Sequence, residues 1–135
     1  MAGSGFSTAV RNEILTARFK TAAPVYGACC DVNPDDAGDM TAGEIPASFD
    51  YARTACVFVT NAAAGSIANT TALDFPAANG GSWGTIAFLA ICSADIEAVD
   101  DVIASGGLTV SKLIEDGDQL VFAIGAITID IAAQA

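Results

Sequence analysis

The sequence predicts a mainly β chain: an antiparallel β-sandwich or jelly-roll-like single domain with one N-terminal amphipathic helix. Three observations predict it. A length of 135 residues suits one domain around one core. Residues 5–20, with apolar side chains at helical spacing, are the one convincing helix. From Val25 onward the apolar period falls toward two, and turn formers interrupt it at intervals typical of sandwiches and barrels. The expected unit is therefore residues 1–135, with a helix at 5–20 and a β-body at 25–131.

The helix can be capped by Ser4 or Ser7. Its expected apolar stripe is Phe6, Val10, Ile14, Leu15 and Phe19, with Arg11, Glu13, Arg18 and Lys20 off it. Bases in the last turn suit the negative end of the helix dipole, and Pro24 stops any continuation. Strands are expected at Val25–Val32, Tyr51–Thr60, Ile67–Phe75, Gly84–Ser93, Val102–Val110 and Gln119–Ile131. Between the first two lies an acidic loop, Asn33–Ser48, and residues Asp95–Asp101 read as a loop leading into a strand, the alternative being a short helix, since Ile96, Val99 and Ile103 keep helical spacing. In the last strand the apolar phase slips by one residue at Gly125-Ala126, which predicts a bulge or a bend between sheets.

Composition narrows the function. Apolar residues make up 53% of the chain and charged residues 16%, too few charges to dress the whole surface of a domain. Part of that surface is expected to be covered by a partner. The net charge is −11, with no histidine. Residues 1–20 carry +2 and the remaining body −13. Such a body repels phosphates, which excludes nucleic-acid binding, and it disfavours anionic membranes. Turn formers and amides interrupt the longest uncharged stretches, Thr54–Leu73 and Phe75–Ala94, so neither is expected to span a membrane. No leader peptide is legible at the start. Cys29, Cys30, Cys56 and Cys92 have no zinc-ligand spacing and are expected to be small buried hydrophobes of a protein made in a reducing cytosol. The sequon at Asn69 is then a chance match.

Motifs that resemble catalytic or metal sites fail on their context. Gly80-Gly81-Ser82-Trp83-Gly84 fits a hydrolase elbow, but apolar strand follows it and no histidine exists to take the serine proton. Asp31–Asp39 alternates acids and amides like a calcium loop, but Asp36 and Ala42 replace the required glycine and glutamate. It reads as a solvated acidic loop, with a weak divalent-ion site at a subunit contact as the alternative. Asp100-Asp101 and Glu115–Asp118 read as turn and surface charge. No cofactor and no enzyme activity are expected. The aromatics Tyr51, Phe58, Trp83, Phe88 and Phe122 read as core, the alternative being that Trp83 or Phe75 anchors an interface. The candidate interface residues are Phe6, Val10, Ile14, Arg18, Phe75 and Trp83.

Several segments then combine into a recognisable pattern. These are Tyr51-Ala52-Arg53, Phe75-Pro76, Trp83-Gly84-Thr85-Ile86, Ser93-Ala94-Asp95, Gly107-Leu108-Thr109 and the run from Gly117-Asp118-Gln119-Leu120 to Gly125-Ala126-Ile127-Thr128. In this order they resemble a family of small structural proteins of tailed bacteriophages, often labelled tail-fibre or virion structural proteins. The resemblance implies a virion component with no catalytic residues, assembled in the host cytoplasm and placed on the outer surface. It is similar to capsid cement or decoration proteins, which clamp neighbouring capsomers. Cement is the first expectation, with the major capsid protein as partner. The alternative is a tail-tip or fibre-base subunit bound to tail proteins. Either role suits a homo-oligomer.

Overall fold

The chain is described from a computed structural model that covers residues 5–22, 24–34 and 37–132. Ser4, Asp35 and Asp36 of the sequence reading lie outside the described residues. Helix α1 spans Thr8–Leu15, and the Ser7 hydroxyl caps it by accepting from the Val10 amide at 3.3 Å. The chain then widens into one π-helical segment, Thr16–Thr21, closed by the Ala22 amide on the Ala17 carbonyl. Residues 5–7, expected to be helical, form only its lead-in.

The buried face of this helix differs from the expected stripe. Leu15 and Phe19 are buried, but the residue in line with them is Arg11. Phe6, Val10 and Ile14 are 54%, 37% and 40% exposed, so these three form an outer stripe. The reason is polar: Arg11 reaches the Ile131 carbonyl (3.0 Å) and the Thr8 hydroxyl (2.9 Å), which requires that face to turn inward. Asn12 and Thr16 accept from the Gly65 and Ala62 amides and fix the same orientation.

Four strands form one antiparallel sheet in the order β2-β1-β5-β6, with β1 at Val25–Cys30, β2 at Thr54–Cys56, β5 at Gly84–Cys92 and β6 at Val102–Ile114. The central β1 is covered on both faces, which explains its unbroken run of small and apolar residues. Val25 and Cys29 enter the main core, whereas Ala28 and Cys30 meet Met40, Ala90 and Cys92 in a second, smaller cluster. Gly27 is needed for close packing, since a β-carbon there would lie 2.6 Å from Leu73 Cδ2. Met40 belongs to α2 (Met40–Gly43), a single turn inside the stretch expected to be an acidic loop, Asn33–Ser48.

β6 is an edge strand and four residues longer than expected. Between the pairs Ile86↔Lys112 and Phe88↔Gly107, β5 advances two residues and β6 advances five. A second shift follows between Ile91 and Cys92. Residues 108–111 thus bow out of step with their neighbour.

In place of a second continuous sheet there are two antiparallel ribbons. β3 (Ser66–Ala68) pairs with β8 (Thr128–Asp130), and β4 (Leu73–Asp74) pairs with β7 (Val121–Phe122). Each of the two long strands expected here is therefore split in two. Asn69 sits at the break and is 1% exposed. Its side chain accepts from the Ile127 amide (2.9 Å) and donates to the Thr71 and Ala123 carbonyls. The phase slip at Gly125-Ala126 is the point where the C-terminal segment passes from one ribbon to the other, with Gly125 at φ +79°. The expected strand at 51–60 shrinks to β2, because its first residues turn inward to a polar cluster.

Sheet, ribbons and helix meet in one main core. Phe75 is fully buried at its centre, beside Tyr51 (6.5 Å between rings) and Phe122 (6.4 Å). Trp83 lies edge-on to Tyr51 at 5.3 Å and donates its indole N–H to the Phe49 carbonyl.

Candidate interaction surface

The main buried charge cluster lies behind the surface rather than in a cleft. Arg53 has no exposed side-chain area, Glu44 has 1% and Asp101 has 13%. The guanidinium grips Glu44 through Nε (3.0 Å to Oε2) and Nη2 (2.9 Å to Oε1). Nη1 reaches Asp101 Oδ1 at 2.8 Å and the Ala94 carbonyl at 2.9 Å, and Nη2 also reaches the Val99 carbonyl at 3.1 Å. All five N–H groups are thereby used. Burial works against the Arg53 charge, but hydrogen bonds to Glu44 and Asp101 outweigh it and hold the guanidinium protonated.

The cluster joins distant loops. Tyr51 donates its hydroxyl to Glu44 Oε2 and accepts from the Cys29 amide (3.0 Å). Glu44 Oε1 also accepts from the Ala98 amide at 2.8 Å, and Ala98 holds φ +58°. Asp101 Oδ2 accepts from the Ala94 amide at 2.6 Å. Burial raises the Asp101 carboxyl, but the bonds from Arg53 and Ala94 prevail and leave it below its ordinary value. Asp100 accepts from the Met40 amide. The loop at residues 93–101 is therefore clamped along its length onto α2 and onto the segment leading into β2.

Asp101 is a correction to the expectation of turn and surface charge at Asp100-Asp101, and the role of Glu44 was not anticipated. The available signal was Tyr51-Ala52-Arg53, because an arginine among so many acids and apolar residues needs carboxylate partners. None of this forms a catalytic arrangement. Ser82 donates to the Ile114 carbonyl and accepts from the Gly84 amide, and so only shapes a turn. Asp39 caps α2 through the Ala42 amide. Among the described residues no group of three potential ligands could hold a metal. All four cysteines are free and buried. Burial pushes Cys30, Cys56 and Cys92 up to about 12, and Cys29 higher still. Asn69 of the sequon is interior. No helix among the described residues is long and apolar enough to cross a membrane.

What remains is surface. Of the candidate interface residues, Val10 and Ile14 are exposed on the outer face of α1, with Phe6 exposed in the lead-in before it and Arg18 exposed in the π-helical segment after it. Phe75 and Trp83 do not join them; both sit in the protein's own core, at 0% and 7% exposure. The clamped loop displays Ile96 (60% exposed) and Val99 (39%) among Asp95, Glu97 and Asp100. A groove of about 730 Å³ runs between β6 and residues 120–130, lined by Leu89, Leu108, Phe122 and Ile129 with Lys112 and Asp130. Val110, Leu113, Val121 and Ile124 are exposed nearby in sequence.

No curated protein matches the chain. One family model does, over residues 5–130, and its description is "Podophage GP4 fiber I protein gp80".

Proposed function

The chain belongs to the podophage GP4 fiber I protein family, a virion structural protein of the tail-fibre kind, and within that family we propose that it is a non-catalytic fibre-base subunit. It is held in the tail by burial of exposed apolar surface against neighbouring virion proteins. The observation that carries this reading is the family match across residues 5–130, nearly the whole described chain. The surface supports it. Two exposed apolar patches on rigid supports suit lasting contacts, since permanent interfaces are more hydrophobic than transient ones.

The sequence alone favoured capsid cement. The family's fibre description supports the tail reading instead, and the −11 charge suits either outward position equally. Quantitative mass spectrometry of purified virions, with immunogold labelling, tests the choice. A handful of copies with gold at the tail is expected. Copies on the scale of the capsid shell, with gold over the head, would overturn it.

A further inference from the structure

We propose that the outer stripe of α1 docks on a second copy of this chain, seating on its clamped 95–100 loop in a head-to-tail contact. The inference rests on the structural-subunit reading and names one of its partners. The stripe on α1 is apolar at Val10 and Ile14, with exposed Phe6 in the lead-in before it and the exposed cation Arg18 in the π-helical segment after it. Among the described residues nothing covers it, because Arg11, Leu15 and Phe19 supply the inward face. The loop has the complementary make-up: exposed Ile96 and Val99 are interspersed in sequence with Asp95, Glu97 and Asp100. Among the described residues neither Arg18 nor Asp95 and Glu97 form an ion pair within the chain.

Charge selects the second copy. The first twenty residues are the only basic part of a chain whose remainder carries −13, so any copy's body attracts another copy's helix. Preorganisation favours the loop as the seat. Arg53, Glu44 and Asp101 hold it from beneath, so little ordering entropy is lost on contact. Because stripe and loop are different patches of one molecule, the contact is heterologous. It generates a ring where the rotation closes and a filament where it does not.

Sedimentation velocity of the full chain over a range of concentrations tests the proposal. Concentration-dependent self-association is expected, weakening as salt screens the charges. Arg18→Glu weakens it about tenfold, as does Asp95→Lys with Glu97→Lys, each variant keeping the circular dichroism of the parent. Mixing the two variants restores assembly, because each stripe then meets a loop of opposite charge. A chain that stays monomeric throughout, association indifferent to both variants, or variants that fail to complement when mixed would each overturn it. Virion location is read separately: gold over the head would sink the fibre assignment and leave this contact standing.

Discussion

Arg53 concentrates the dependence of several loops on one side chain. Arg53→Met removes every bond to Glu44, Asp101, Ala94 and Val99 while nearly keeping the volume, and leaves the buried Glu44 carboxylate without its cation. A loss of about 3–5 kcal/mol in urea unfolding is expected. Asp101 adds a pH dependence of known sign. Its folded-state pKa lies below the unfolded value of about 3.9, so its contribution is present above that pH and is lost as pH falls through the folded value. Thermal scans should show steepening acid destabilisation below about pH 4, and Asp101→Asn should flatten it. Gly65 is a second sensitive residue. It sits at φ +75°, and a β-carbon there would lie 2.0 Å from Arg11 Nη1. Gly65→Ala should therefore cost about 1–3 kcal/mol or more in the same assay.

At the scale of elements, α1 separates stability from contact within two adjacent residues. Leu15→Ala should cost about 2–5 kcal/mol, because the side chain is 2% exposed. Ile14→Asp should change urea stability by less than about 1 kcal/mol yet remove assembly. The reverse pattern would mean that the helix buries its other stripe. The ribbons depend on Asn69 in a similar way. Asn69→Ala orphans the Ile127 amide, at about 1–3 kcal/mol, removes the side-chain donor to the Thr71 and Ala123 carbonyls, and should expose residues 119–131 to limited proteolysis before the four-stranded sheet. Periodicity made most elements legible. The helix, β1, β5, β6 and the slip at Gly125 all follow from spacing and turn chemistry. The helix's inward face was not legible, because hydrogen bonds from Arg11, Asn12 and Thr16 to residues far along the chain decide its rotation. The Glu44–Arg53 pairing was hidden likewise, since it depends on where a loop returns. Fully buried Phe75 and Trp83 could not be told from interface anchors by composition.

For the whole molecule, buried thiols set an alkaline limit. The Cys30, Cys56 and Cys92 thiols are raised by burial from 9.0 to about 12, and Tyr51 is raised too, so the stability they confer is complete below the unfolded thiol value. That stability drains away as pH climbs from about 8.5 toward 12. Unfolding midpoints should form a plateau between the acid and alkaline limbs. Thiol reagents added at neutral pH should modify the native chain far more slowly than the urea-unfolded one. Across the same molecule, α1 and the 93–101 loop are where exposed apolar area coincides with rigid support.

The uneven pairing of β6 has its own consequence for a sticky chain. Thirteen residues of bare strand, with Val110 and Leu113 turned outward, would ordinarily invite strangers to zip on and keep adding rungs. The surplus residues at 108–111 throw any straight newcomer out of step midway, so runaway stacking stalls there. Adhesion is then left to other surfaces of the molecule.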